Sequence, residues 1–354
     1  MNPAKQARYW LIGFAVFILV VYVLRDVLLP FVAGAGIAYL LNPLTTRLQQ
    51  WRCSRTVATL LIMLVFTAVV VAVILLLFPL LQGQIVSFVE RVPGYVETLR
   101  QKVVPYLEHI WLSLSLSQEQ ELKDAAGEQA GSAIKWVGGV LKNILSGGLA
   151  LFQLISLIVI TPIVTFYLLR DWEKIVVKMD SWVPKHHADT IRDLARRIDD
   201  TIAGFVRGQA SVCSILALYY GIALSAVGLE FGLVIGILAG LISFIPYVGA
   251  SLGFLGSVGL AYAQFSELTP ILMVGGVFIV GQILESYFLT PKMVGDRVGL
   301  HPVWIIFALM AGGALFGFTG MLLAIPVAAV IGVLARFAIS RYLESPLFTG
   351  DGSP

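Results

Sequence analysis

Residues 285–328 gather most of the side chains that could handle an ion or a proton. Glu285 could bind and release a proton or hold a cation, and Gln282, one turn earlier, could share its ligand. Lys292, Asp296, Arg297 and His301 follow, interleaved with Pro291, Gly295, Gly299 and Pro302. Glycine and proline at this density fix sharp backbone geometry that no ordinary helix adopts. Charged groups beside lipid-soluble helices are costly, so they pair, reach water or serve transport. Two readings of Glu285 stand: a carboxylate that handles protons or cations, or an interfacial acid paired with Lys292 or Arg297 across the bend. If Pro291 ends the helix, Glu285 sits about 9 Å inside that end at 1.5 Å per residue. Lys292, Asp296, Arg297 and His301 could gate a pathway, fix the bend or contact headgroups, and His301 before Pro302 also suits a helix start.

Bond-making chemistry finds little support. Gly249-Ala-Ser251-Leu-Gly253 matches the G-x-S-x-G pattern of hydrolases, but it lies in an apolar glycine-rich stretch, where small residues let helices approach. His109 and the pair His186-His187 lack metal-ligand spacing, and no H-E-x-x-H occurs. No Gly-Lys dipeptide exists in the chain, so it has no Walker A loop. Cys53 and Cys213 stand alone and read as inert thiols. No enzyme activity, cofactor, metal or nucleic-acid partner is expected.

The elements that carry these residues follow from composition. Apolar residues make up 58% of the 354 positions and charged residues 13%, with a mean hydropathy of +0.89. Soluble domains carry nearly twice that charge fraction, so the chain reads as an all-α polytopic membrane protein. Charge-free windows cover 9–24, 27–46, 56–89, 143–169, 208–229, 231–266, 268–284 and 303–335. A span needs about 20 apolar residues, so eight spans are expected, the first of them drawing on its flanks. With a cytoplasmic N-terminus, 15 Lys and Arg fall on inside segments and 9 outside. That bias favours both termini in the cytoplasm. Lys5 and Arg8 before an apolar run resemble a signal peptide, but without a small-x-small cleavage site the run reads as a retained first helix.

The expected domain plan is spans 1–3 over 1–82, an extracytoplasmic amphipathic insertion over 83–142, span 4 over 143–169, a cytoplasmic helical insertion over 170–207, spans 5–8 over 208–342 and a tail over 343–354. Ile85, Phe88, Val89, Val92, Val96 and Leu99 recur at helical spacing in the first insertion, which Pro93 and Pro105 are expected to break into pieces. In the second, Ile191, Leu194, Ile198, Ile202 and Phe205 form one face. That helix would lie on the membrane surface, pack on neighbours, or couple the spans on either side.

Two late windows are irregular. Window 231–266 exceeds one straight span and contains Pro246 and Gly249; window 303–335 contains Gly317, Gly320 and Pro326. Each has Ile-Pro after a glycine-rich approach, the pointer to broken or re-entrant helices along a substrate path. Arg207-Gly208-Gln209 enters the fifth span, where Arg207 would snorkel to the surface and Gln209 needs a buried partner or water. Asp171 after Arg170 reads as a helix-end charge.

The run Pro291-Lys-Met-Val-Gly-Asp-Arg-Val-Gly-Leu-His-Pro302 resembles the signature of the autoinducer-2 exporter family, the PerM-type permeases. So do Gly312–Pro326, Ile245-Pro-Tyr-Val-Gly249, Arg207-Gly-Gln209 and Phe166-Tyr-Leu-Leu-Arg-Asp171, in the same order from Asn42-Pro43 to the last span. The resemblance implies an eight-helix inner-membrane protein, a homo-oligomer with a pentamer as the expected size, and export of a small solute. Some members look like sodium/proton antiporters. A proton- or ion-coupled exporter is therefore the leading expectation. A monovalent cation (Na+ or Li+)/proton antiporter on the same fold is the first alternative, and a membrane scaffold or sensor acting through the insertions is the second.

Overall fold

Backbone N–H and C=O groups in lipid have no water to bond, so an apolar chain of this kind satisfies them within helices. The computed structural model describes residues 12–13, 16, 19–113, 148–294 and 299–349, and among them every regular element is helical. The long and medium helices among the described residues are α1 (Leu29–Gln50), α2 (Arg55–Ser113), α3 (Gly148–Ser181), α4 (Ala188–Ala226), α5 (Gly232–Ile242), α6 (Val248–Gln264), α7 (Leu268–Ile283) and α8 (Pro302–Leu343). A π-helix, Leu284–Val294, continues directly from α7.

Among the described residues six helical runs are long and apolar enough to cross a membrane: α1, the first part of α2, α3, α4 with its preceding turn, α7 with the π-helix, and α8. They match windows two to five, seven and eight. The first window is described only in part, with 12–13, 16 and 19–23 helical. The sixth window is split: α5 and α6 have 11 and 17 residues, about 16 and 25 Å at 1.5 Å per residue. The chain is an all-α polytopic membrane protein.

Two sequence expectations change. The first insertion is not broken at its prolines: α2 runs unbroken through Pro79, Pro93 and Pro105 to Ser113. An internal proline removes one backbone bond, and a helix secured by turns on both sides continues past it. Residues 114–142 of that insertion lie outside the described residues. Asp171 does not end a helix either, because α3 continues for ten residues to Ser181. It pairs with Arg170 at 2.6 Å and Lys174 at 3.2 Å on the helix surface. The second insertion is accordingly the tail of α3 and the head of α4, joined by a turn. Because α4 is a single helix through 226, the face from Leu194 and Ile198 to the buried Phe205 leads straight into the span.

The chain divides into two compact units. The first comprises Met1–Thr67, Ser156–Ser211 and Leu289–Pro354. There α1 and α3 approach at Gly34, where a Cβ would lie 2.8 Å from Val164, and Thr165 donates to the Gly34 carbonyl at 3.2 Å. The second comprises Ala68–Ile155 and Val212–Phe288. In it Gly232, Gly236 and Gly240, one per turn of α5, press on the α4 backbone at Leu224, Gly221 and Ala217. Lipid gives apolar helices no hydrophobic reason to associate, so close backbone packing at small residues holds them.

An ion-pair cluster fixes the far part of α2 within the second unit. Arg91 and Tyr95 both bond the Glu230 carboxylate, and Gln264 holds the same loop through Glu230 N and Gly228 O. Burial first, and the neighbouring Glu230 second, push the Tyr95 hydroxyl above its ordinary range.

Candidate transport site

Within the second unit, Tyr220 of α4 is the largest fully buried side chain. Its ring stacks on Phe278 of α7 with centroids 4.7 Å apart and planes 22° apart. The hydroxyl lies 2.5 Å from where a Cβ on Gly281 would sit, so only glycine leaves room for the ring. Glu285 is half-buried one turn further along, and its carboxylate is an electrostatic neighbour of Tyr220 and Cys213. The Tyr220 oxygen itself is buried without a hydrogen-bond partner. Gln282 is exposed and donates to Ser286 at 3.0 Å, so it does not reach back to Glu285.

Glu285 belongs to the π-helix, and Pro291 lies inside that segment rather than ending it. The i→i+5 register widens the turn and draws the carbonyl that a proline ring would strike away from it. The helical run therefore extends to Val294, and Glu285 stands deeper from its end than a stop at Pro291 would allow. π-segments of this kind recur at functional sites.

Within the first unit, the two motifs Arg207-Gly208-Gln209 and Lys292-Met293-Val294 meet. The Gly208 α-carbon packs on the Met293 carbonyl and the Val294 backbone, leaving no space for any side chain. Gln209 is buried, 5% exposed, and Arg207 donates to the Ala203 carbonyl of its own helix at 3.0 Å. Lys292 is exposed. Gly295, Asp296 and Arg297 lie outside the described residues. Gly299 takes a positive φ of 56°, and its carbonyl accepts from Arg336 at 3.1 Å. His301 caps α8, accepting from Val303 N at 3.3 Å through Nδ1, with Pro302 as the first helical residue.

The irregular windows contain true breaks. Residues 243–247 turn between α5 and α6, and Tyr247 holds φ +67°, a conformation that strains any residue but glycine. Gly249 closes that turn against the Ser243 backbone. In α8 the break is Gly317, with φ 59° and ψ −140°. Gly312 and Gly320 then face each other, a Cβ on Gly312 lying 2.5 Å from the Gly320 carbonyl. The stretch 302–316 therefore folds back along 318–343 as a hairpin arm of about 22 Å, short of the roughly 30 Å hydrocarbon layer. The two Ile-Pro steps are not equivalent: Pro246 sits in a turn, whereas Pro326 lies within a helical arm. The glycines of the hydrolase-like pattern are packing positions, Gly253 against Ala239 and Phe278.

Two structural groups escaped sequence reasoning. Arg55 carries no signal in the sequence beyond its charge, yet it is a hydrogen-bond centre of the first unit. The α5 glycine stripe was legible as G-x-x-x-G-x-x-x-G. A polar groove of about 580 Å³ lies between α4 and the end of α8. Its charges are engaged, Arg197 with Asp193 at 2.8 Å and Arg341 with Glu344 at 3.5 Å. Among the described residues no three His, Cys, Asp or Glu side chains gather as a metal site.

Comparison with known proteins gives this arrangement its family. The chain is 28% identical to YrrI of Bacillus subtilis (strain 168), over 88% of this chain and 86% of that protein. It is 25% identical to PerM of Escherichia coli (strain K12), over 88% and 87%. TqsA of the same strain, whose name describes it as an AI-2 transport protein, is 24% identical over 87% and 85%. The family model described as AI-2E family transporter matches residues 11–339. With nearly every described element inside that match, the chain belongs to the AI-2E transporter family.

Proposed function

We propose that this protein is a secondary transporter that exports a small solute across the inner membrane, with proton coupling carried by Glu285. The supporting observation is the position of that carboxylate: half-buried in a π-helix, one turn from the buried Tyr220–Gly281 contact. Acidic groups inside membrane segments mark ion and proton pathways, because charge there is expensive to keep without use. The turn 243–247 and the hairpin at Gly317 supply irregular backbone, which persists at membrane depth only beside protein or water. The turn 243–247, in the unit that holds Glu285, lines the path in this reading, as broken helices do in other secondary transporters. The solute is a small polar signal of the AI-2 kind, by kinship with TqsA.

Both termini face the cytoplasm in this reading, from the distribution of Lys and Arg. The protein assembles as a homo-oligomer: the apolar window of α2 within 55–79 has none of its residues buried in the single chain, and lipid and neighbouring copies cover it.

The test is flux in proteoliposomes across a panel of small signals and of sodium and lithium, with and without a pH gradient. Gradient-stimulated movement of an organic solute supports export. Proton movement triggered by sodium or lithium alone identifies a cation/proton antiporter instead. No flux of either kind contradicts transport.

A further inference from the structure

Tyr220 keeps a hydroxyl where phenylalanine would stack on Phe278 equally well. Its oxygen is buried without a hydrogen-bond partner, a condition that disfavours the folded state. Such a group is retained where another state of the molecule uses it. Position narrows what it meets: the oxygen lies against Gly281, whose missing side chain leaves room for the tyrosine ring. Gly281 and Glu285 are four residues apart, on one face of the run.

The titratable groups facing Glu285 are few. From α4 come Cys213 and Tyr220, with Tyr219 beside them already donating to the Val277 carbonyl at 3.0 Å. Along its own segment stand Tyr287 and Lys292, both exposed. A thiol donates weakly, so Tyr220 is the strong donor at hand.

We propose that Tyr220 donates its hydroxyl hydrogen bond to the unprotonated Glu285 carboxylate in one state of the transport cycle and releases it when Glu285 is protonated. Tyr220 is then a positioning residue that sets when the carboxylate takes its proton. The inference rests on Glu285 as the coupling group. No proton leaves the tyrosine; its O–H only turns toward the carboxylate and away from it. A donor to the charged form favours that form, so removing it makes Glu285 hold its proton to higher pH.

Dicyclohexylcarbodiimide attacks only protonated carboxyls, and mass spectrometry of the labelled full chain in proteoliposomes reads Glu285 occupancy without a known solute. Tyr220→Phe keeps the stacked ring and removes an unpaired oxygen, so the fold should persist. The expected result is a labelling midpoint raised by about one pH unit over the unsubstituted protein. An unchanged or lowered midpoint overturns the inference. If Glu285 labels at no pH, or Glu285→Gln retains full gradient-driven flux, the coupling reading falls and this inference with it. If Glu285→Gln loses the gradient response while Tyr220→Phe leaves the midpoint in place, only the role of Tyr220 is refuted.

Discussion

The Arg55 guanidinium donates twice to the Leu169 carbonyl oxygen, from Nε at 3.1 Å and Nη2 at 2.9 Å. Nη2 also reaches Asn42 at 2.7 Å, and Nη1 reaches Gln49 and Glu173, each at 3.1 Å. One side chain, 12% exposed, thus ties the start of α2 to α1 and α3. Asn42 and the stretch Phe166–Asp171, far apart in sequence, meet through it.

Arg55→Ala should cost about 1–3 kcal/mol, the usual penalty for leaving part-buried acceptors unpaired. Arg55→Lys should recover little of it, since an ammonium cannot present the planar fork that addresses these acceptors together. Thermal unfolding in detergent checks both. A lysine variant as stable as the parent would show that the planar geometry is unimportant.

Gly208 offers a sharper contrast. Gly208→Ala drives a methyl into the Met293 backbone, which cannot rotate away as a side chain would. The substitution should lower flux at least tenfold, by about 1.4 kcal/mol per decade, and reduce folded yield. Gly256→Ala, with nothing within 4 Å of the new atom, should be neutral or stabilise by up to about 1 kcal/mol through helix propensity. Equal effects of the two would dismiss the contact as a constraint.

The hairpin in α8 depends on glycine conformation and not on proline. Gly317→Ala should cost about 1–2 kcal/mol, because an L side chain disfavours positive φ, and should loosen the Gly312–Gly320 contact. Pro326→Ala restores a helical N–H and should be tolerated. Cysteine cross-linking between positions 313 and 321, where a Cβ added at Gly313 would lie 2.6 Å from the Met321 side chain across the hairpin, would report the arm directly. A cross-link that survives Gly317→Ala undiminished would contradict this account of the turn.

The broad architecture could be read from sequence because lipid imposes a simple rule: charge-free windows become helices. Windows 27–46, 268–284 and 303–335 are helical in the structure for that reason. The irregular segments were also legible, since Gly317 and the Ile245-Pro246 step announce broken geometry chemically. Local spacing failed where tertiary support decided the outcome. The prolines of α2 looked like breaks, but a long helix passes them. Pro291 looked like a terminus, but a π-register absorbs it. Of the candidate site, Glu285 stood out because a lone acid in an apolar window is expensive. Its neighbour Tyr220 did not, because a tyrosine in an apolar span is ordinary until the structure shows its hydroxyl buried without a partner. In the structure His301 is a helix cap and Gly299 a positive-φ residue held by Arg336.

The most direct test of the central claim is solute accumulation by proteoliposomes carrying Glu285→Gln, driven by an imposed pH gradient. Glutamine preserves shape and polarity but takes no proton in this range. The coupling account predicts that the gradient no longer raises accumulation above the level reached without it. Accumulation that responds to the gradient as in the unsubstituted protein would contradict the account and remove Glu285 from the coupling path.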